Sequence, residues 1–313
     1  MLMADHTISD AAIDWLLAGD PVIRWQTMRD LLLLPEPAWQ AERERTLHSG
    51  WGAKFLDCLQ EDGRWPDGRW TGTIWTLLTI MDCGLPQEHP RLQTAAEGFV
   101  DRMLTPEPGA KPDWLLTRID LCHIGFWLRI GAYFSPNDKR LAEVAQVLLA
   151  AQMQDGGWNC RKRKVPKTHH SSFHTTFNIL EGLCEAAMAG IIPSDVFHVA
   201  EARAMEFMLR HKMYRSDKTG AIVNDRFLHL TYPSHWHYTV LRGLDYMHIT
   251  PEIADSRLED SISQIMSRRG KNGRWTVEKR IPGTTLFEME KWGGESRWNT
   301  LKALRVLRGR EQV

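Results

Sequence analysis

The sequence lacks a long hydrophobic run and an excess of charge of either sign. Its longest purely aliphatic run, residues 31–34, is far shorter than the roughly 20 apolar residues that cross a membrane. The 39 basic residues balance the 39 acidic ones, so the charge does not indicate a nucleic-acid partner. The first 20 residues carry acidic side chains and no long apolar core, which argues against a signal peptide. We therefore expect neither a membrane span nor a nucleic-acid partner.

Paired cysteines and strand signals are also scarce. Five scattered cysteines, an odd number, do not form the pattern of a disulfide framework. They indicate a reducing compartment, and we expect a cytoplasmic location. Alternating Val, Ile and Thr are rare, and no Asn-Gly turn separates two alternating runs, so β-structure is not expected.

Tryptophan is abundant, with 14 residues in a chain of 313. Three of them end a Gly-Trp signature that precedes a helical stretch, at 62–65 (DGRW), 154–158 (QDGGW) and 272–275 (NGRW). Glycine permits the positive φ of a tight turn. We expect the tryptophan to cover a helix junction and its indole N–H to reach a backbone carbonyl.

Apolar helices recur at a spacing of about 50 residues, which is typical of a repeat architecture. Three- and four-residue apolar spacing predicts inner helices over Val22–Leu33, Thr73–Cys83, Asp120–Tyr133, Ser172–Ala187, His235–Met247 and Arg297–Leu307. More polar amphipathic helices are predicted between them over Glu42–Cys58, Arg91–Met103, Lys139–Met153, Ser194–His211 and Pro251–Arg268. This alternation predicts two concentric rings, one buried on most sides and one on a single face.

The length alone would fit two domains, but the repeat predicts a single domain over residues 1–313, with 1–20 as an N-terminal extension. Neither end is clearly polar on an outer face, as the capping repeats of an open solenoid are. A closed barrel of six inner and about six outer helices is therefore expected.

Residues 152–158 (QMQDGGW) resemble the QW repeat of squalene and oxidosqualene cyclases and of protein prenyltransferase β subunits. The resemblance extends from about Val22 to Leu307. It implies an all-α fold, the (α/α)6 toroid that these families share.

A candidate metal site lies at the start of the third and fourth inner helices. Asp120 and Cys122 open the third, and His174 opens the fourth, 52 residues after the cysteine. Carboxylate, thiolate and imidazole suit a catalytic zinc with one open position. Residues two apart on a helix point about 200° apart, so convergence requires Asp120 at the cap, where the backbone is not yet helical.

This pattern resembles the protein prenyltransferase β subunits, which carry Asp-x-Cys, Phe-Trp, a Gly-Gly-aromatic loop with lysines, and His-Thr. The matching positions are Asp120, Cys122, 126–127, 156–158, 164–167 and 174–175. The resemblance implies zinc on Asp120, Cys122 and His174.

Other interpretations of these residues stay open. Asp120 alone could cap its helix, Cys122 could be a small buried hydrophobe, and His174 could be a hydrogen-bonded core histidine. Cys160 could add a fourth ligand and make the site structural. His123, His169 and His170 are alternative ligands.

A basic run precedes His174, and such a run is either a solvated face or an anion site. We take as candidate substrate-binding residues Arg118, Arg161, Lys162, Arg163 and Lys164. The resembling enzymes place both an Arg and a Lys shortly before the Asp-x-Cys pair, whereas this chain has only Arg118.

Aromatic and histidine side chains are predicted to line a polar rim and an apolar central cavity, unless they are plain core. The candidates at these positions are Phe173, His235, Trp236, His237 and Tyr238.

These features predict a zinc-dependent transferase resembling the β subunit, which activates a thiol for alkylation by a small apolar substrate of isoprenoid type. Protein prenyltransferases also need an α subunit of helical repeats, so the resemblance implies either a protein partner or a substrate that is not a protein. One alternative is a terpenoid-cyclase-like enzyme, although the sequence has no Asp-x-Asp-Asp acid. The other is a non-catalytic toroid that binds an apolar ligand or a protein.

Overall fold

A computed structural model describes residues 9–111 and 113–312, and their regular structure is almost entirely α-helical. This confirms the all-α class. The helices are α1 (Asp10–Leu17), α2 (Pro21–Asp30), α3 (Glu36–Glu44), α4 (Gly50–Asp57), α5 (Thr73–Cys83), α6 (Pro90–Leu104), α7 (Trp114–Arg118), α8 (Leu121–Phe134), α9 (Arg140–Ala150), α10 (Arg161–Lys164), α11 (Phe173–Met188), α12 (Ser194–Arg210), α13 (Val240–Met247), α14 (Glu259–Met266) and α15 (Arg297–Glu311). Two short antiparallel strands, β1 (Trp275–Thr276) and β2 (Glu295–Ser296), pair with each other.

Most predicted helices are confirmed within a few residues, but the fifth inner helix begins later than predicted. Instead of starting at His235, α13 starts at Val240. His235 has a φ of 49°, in the left-handed region, which a right-handed helix cannot contain. Thr239 then caps the helix by accepting the N–H of Arg242.

Two predicted outer helices are interrupted. Within Glu42–Cys58, α3 gives way to a 3-10 turn over Arg45–Leu47, and α4 begins at Gly50, whose φ is 72°. Within Pro251–Arg268, two 3-10 turns precede α14. The predicted N-terminal extension contains α1, and its first eight residues lie outside the described ranges.

The three Gly-Trp loops share one geometry, which supports the repeat. Their glycines have positive φ: 75° at Gly63, 103° at Gly156 and 79° at Gly273. The indole N–H groups donate to carbonyls in the last turn of the preceding helix, from Trp65 to Phe55 at 2.7 Å, from Trp158 to Leu148 at 2.7 Å and from Trp275 to Ile265 at 2.8 Å. Their backbone N–H groups donate to hydroxyls in the first turn of the next helix, at Thr73, Thr176 and Thr300. Each tryptophan therefore ties the end of the helix before its loop to the start of the helix after it.

Ion pairs and one indole hydrogen bond link helices α2, α5, α8, α11 and α13 in chain order. Arg129 on α8 pairs with Asp82 on α5 at 3.0 Å and with Glu181 on α11 at 3.0 Å. Arg242 on α13 pairs with the same Glu181 at 2.6 Å. Trp25 on α2 donates its indole N–H to a carbonyl at the end of α5. The first five helices of the series are thus bonded neighbour to neighbour.

The last helix, α15, joins both its predecessor and the first helix of the series. Lys302 and Arg305 each approach Asp245 of α13 at 3.4 Å. Arg305 also pairs with Asp30 of α2 at 2.5 Å. Together with the bonds above, these contacts form a cycle, which we call the central ion network.

Helices α8 and α11 approach each other closely because two glycines face each other. A Cβ on Gly125 would lie 2.8 Å from the carbonyl oxygen of Asn178, and one on Gly182 would lie 2.4 Å from that of Gly125. This packing sets the starts of α8 and α11 side by side. Within the described residues, no helix has the length and apolar character needed to cross a membrane.

Candidate functional site

A cavity of about 910 Å³ opens where α8 and α11 begin. We call it the thiol pocket, because Cys122 and Cys160 both line it. Asp120 and His174 also line it, so all three predicted zinc ligands and the possible fourth lie in the wall of one cavity. Its other lining residues include Arg161, His169, His170 and Trp236.

The two cysteines are in direct contact. The Cys122 backbone N–H, in the first turn of α8, donates to Cys160 Sγ at 3.3 Å. The Thr175 hydroxyl donates to the same sulfur at 3.3 Å. The Cys122 side chain is the main cause that lowers the pKa of Cys160 to about 7, and the Thr175 hydroxyl and the Cys122 N–H lower it further. The pKa of the Cys122 thiol is raised in return.

Asp120 is the residue before α8, as convergence of the predicted ligands requires, with extended backbone. It makes no side-chain cap hydrogen bond there. Instead its Oδ1 pairs with Lys164 Nζ of the basic run at 2.9 Å. The carboxylate before α8 is therefore joined to the last residue of α10.

His174 lies in the first turn of α11 with its ring packed against aromatic neighbours. Its Nδ1 accepts the backbone N–H of Tyr238 at 2.8 Å, and the rings of Phe227 and Trp236 lie 5.3 and 5.0 Å away, centroid to centroid. Burial, followed by the positive charge of His237 and Arg242, lowers the pKa of His174 to about 4. The imidazole is therefore neutral at pH 7.

A second cavity, of about 640 Å³, meets the thiol pocket at His174 and Trp236, which line both. We call it the basic pocket because its lining includes Arg69, Arg226, Lys279 and Arg280, together with His229 and His237. Among the described residues that line it, none is an Asp or Glu.

The cations of the basic pocket are mostly uncompensated. Arg280 pairs with Glu288 at 3.0 Å, but within the described ranges Arg226 and Lys279 have no ion-pair partner. Burial and then the charges of Arg226 and Arg69 lower the pKa of His237, which places positive potential inside the cavity.

Several predicted substrate-binding residues have other partners. Arg118 donates to the carbonyls of Met103 and Arg102 and does not line the thiol pocket. Lys162 donates to the carbonyls of Pro166 and Thr168. The side chain of Arg163 lies outside the described part of the chain.

The predicted aromatic rim is divided between core and cavities. Phe173 is buried against Phe207 and Tyr238. His235 stacks on Trp70 with 4.1 Å between ring centroids and lines a small cavity of about 50 Å³. Only Trp236, His237 and Tyr238 line the basic pocket.

The donor types of the thiol pocket suit zinc, but their present positions do not form a complete ligand set. In the ranges described, no group of three or more His, Cys, Asp and Glu side chains is close enough to hold a metal ion. His123 Nδ1 lies 3.6 Å from Cys122 Sγ, so it is the nearest additional donor to that sulfur. Zinc binding stays a prediction.

Sequence reasoning missed the role of Thr175 and the cations of the basic pocket, although it named Trp236, His237 and Tyr238 of that pocket as substrate-binding candidates. Thr175 stands in the His-Thr pair that carried the resemblance, so that motif was a signal for it. The cations of the basic pocket come from three distant segments with no shared motif.

Comparison with protein-family models, curated proteins and solved structures finds no match to this chain.

Proposed function

We propose that this chain is a transferase whose reaction takes place at sulfur in the thiol pocket. The observation that carries the proposal is the contact of the Cys122 backbone N–H with the Cys160 sulfur, in the wall of a 910 Å³ cavity that Asp120 and His174 also line. Two adjacent thiols with hydrogen-bond donors aimed at one of them favour a thiolate, which is the reactive form of cysteine.

The residues of the pocket have separate roles in this proposal. The Thr175 hydroxyl and the Cys122 N–H hold negative charge on Cys160 Sγ. His174 is neutral at pH 7 with Nδ1 already accepting a hydrogen bond, so it positions a ligand and is too weak a base to take a proton. Asp120 is held by Lys164 until a cation replaces that partner.

The basic pocket would receive the anionic part of the substrate. It adjoins the thiol pocket through His174 and Trp236 and offers guanidinium groups, which bind phosphate or carboxylate oxygens in pairs. The indole of Trp236 then lies between the sulfur atoms and the anion, where an apolar segment of isoprenoid type would pack.

Zinc belongs to the proposal as the metal that Cys122 and Cys160 would hold, because the two residues are in contact and both line the thiol pocket. Asp120 and His174 line the same cavity and are the candidates to complete the set, and His174 would have to release the N–H of Tyr238 from its Nδ1 to free a ring nitrogen for the metal. When bound in such a site, zinc lowers the pKa of a coordinated thiol and makes it nucleophilic at neutral pH.

The finer architecture is part of the same proposal: a single (α/α)6 toroid with α2, α5, α8, α11, α13 and α15 as its inner ring. The cycle of bonds in the central ion network supports it, since Arg305 of the last inner helix reaches Asp30 of the first. The repeated bonds of the three Gly-Trp loops support it as well.

The test combines metal analysis with an alkylation assay on the full chain. We expect about one zinc per chain, and formation of a thioether when a small thiol and an isoprenyl diphosphate are supplied together. Cys122→Ser and Cys160→Ser should each lower both values, whereas Cys58→Ser, at another half-buried free cysteine, should not. Protein that forms no thioether and holds an apolar molecule would contradict the transferase and favour a binding module.

A further inference from the structure

The contact between Cys122 and Cys160 has a second chemical consequence, which does not depend on a metal. The two residues are 38 positions apart in sequence, yet the N–H of one donates to the sulfur of the other at 3.3 Å. The remaining cysteines, Cys58, Cys83 and Cys184, are also free thiols. No disulfide constrains the pair in the described structure.

Both thiols are accessible to a small molecule. Each is half-buried, and each lines the 910 Å³ thiol pocket. By contrast Cys83 is fully buried. A small disulfide can therefore reach Cys122 and Cys160 from the cavity, which is the access that thiol–disulfide exchange needs.

The surroundings of the two sulfur atoms differ, and this difference sets an order of reaction. Cys160 Sγ receives the Thr175 hydroxyl and the Cys122 N–H, and both contacts favour negative charge on it. Among the described residues, no hydroxyl donates to Cys122 Sγ, and His123 Nδ1 lies 3.6 Å from it. Cys160 is thus the attacking sulfur and Cys122 the resolving one.

We propose that Cys122 and Cys160 form a redox-active pair that exchanges with small disulfides and closes into a reversible intramolecular disulfide. Cys160 attacks one sulfur of the small disulfide, so that a mixed disulfide forms and one thiolate leaves and takes up a proton. Cys122 then loses its proton to solvent and attacks the Cys160 sulfur, releasing the second thiolate. The chain is oxidised by two electrons, and the small disulfide is reduced to two thiols.

The closed disulfide removes both sulfur atoms of the thiol pocket from other chemistry at once. It would thereby switch off the proposed transferase, a consequence that rests on the proposed function. The exchange itself needs only the geometry of the pair. In a reducing compartment such disulfides are transient and act as sensors or in catalysis.

The experiment treats the full chain with oxidised glutathione and follows it by intact mass and by non-reducing peptide mapping. We expect the wild type to lose about 2 Da and to yield one cross-linked peptide pair containing Cys122 and Cys160. A thiol reductant should reverse both changes. Cys122→Ser should stop at a glutathione adduct on Cys160, and Cys160→Ser should form no disulfide with Cys122.

Cys58→Ser and Cys184→Ser are the matched controls, and they should behave like the wild type. Circular dichroism verifies that each variant is folded, and the wild-type mapping does not depend on any substitution. The proposal is overturned if the wild type stops at a glutathione adduct, or if Cys122 is linked to a cysteine other than Cys160. The readout is mass and not activity, so it separates the two proposals. Disulfide formation without a thioether product would support the redox-active pair and contradict the transferase.

Discussion

At the scale of single residues, the basic pocket brings together cations that the sequence keeps far apart. Arg69 follows the first Gly-Trp loop, Arg226 precedes α13, and Lys279 and Arg280 follow β1. None of them belongs to a run of like charges. The basic run that the sequence does display, residues 161–164, is partly engaged instead, since Lys164 pairs with Asp120.

Removal of Arg226 and Lys279, which have no ion-pair partner among the described residues, should weaken anion binding. For Arg226→Met combined with Lys279→Met, we expect the Kd of inorganic diphosphate to rise at least about tenfold, because each lost charge removes a charge-assisted hydrogen bond. Isothermal titration calorimetry at low salt measures it. Lys218→Met with Lys271→Met, two exposed lysines elsewhere, is the charge-matched control. Equal affinity for diphosphate in both double variants would contradict the proposal that the basic pocket binds the anionic part of the substrate.

The sequence predicted only the part of the candidate site that comes from short motifs at the helix starts. Asp120, Cys122 and His174 were placed in one cavity wall because helix starts one repeat apart lie at one end of the molecule. The contact of Cys160 with Cys122 depends on how the loop before α10 folds, and no periodicity fixes that. Likewise, the donation from Tyr238 to His174 depends on the irregular path of residues 235–239.

At the scale of elements, the Gly-Trp loop is the joint between the two kinds of helix. The last carbonyls of a helix have no partner within it, and each loop tryptophan supplies one from its indole N–H. The threonine that holds the backbone of the tryptophan stands in the first turn of the next helix. The same small set of bonds is thus repeated three times along the chain.

Trp158→Phe tests this joint, since it keeps an aromatic ring but removes the donor to Leu148. We expect the free energy of unfolding to fall by about 2–3 kcal/mol, from the lost hydrogen bond and the space left by the smaller ring. Urea denaturation measures it. Trp292→Phe, at a tryptophan that is 61% exposed, should change the value by less than about 0.5 kcal/mol. A result for Trp158→Phe as small as this control would mean that the joint is not a source of stability.

Helix bounds were predicted correctly where the apolar periodicity was strong. The predictions failed where the backbone conformation of a single residue interrupted a helix. Thr73–Cys83 begins and ends as the apolar spacing predicts. The helix predicted from His235 begins later because His235 adopts a positive φ, which hydrophobic spacing does not reveal. Gly50 interrupts a predicted outer helix for the same kind of reason.

At the scale of the whole molecule, the central ion network joins the first and last helices of the series. Arg305 is buried, and it contacts Asp30 near the start of the chain and Asp245 on α13. Arg129 and Arg242 share Glu181, and although burial opposes its ionisation, these two arginines lower the pKa of Glu181 to about 2. The network therefore stays charged at neutral pH.

Arg305→Met should destabilise the whole fold, because it removes a buried guanidinium that two half-buried carboxylates, Asp30 and Asp245, share. We expect a loss of about 3–5 kcal/mol in the free energy of unfolding, measured by urea denaturation. Arg64→Met breaks an exposed pair with Asp62 and should cost less than about 1 kcal/mol. Similar losses in the two variants would show that the junction between α15 and α2 adds no more than a surface contact.

The central ion network also limits how deep an apolar ligand would reach in the proposed toroid. The thiol pocket lies at the starts of α8 and α11, whereas Arg129 and Glu181 lie about two turns further along these helices. An apolar tail at that depth would meet paired charges that it cannot solvate. In the proposed toroid, a long tail would therefore fold back towards the entrance instead of passing through the ring.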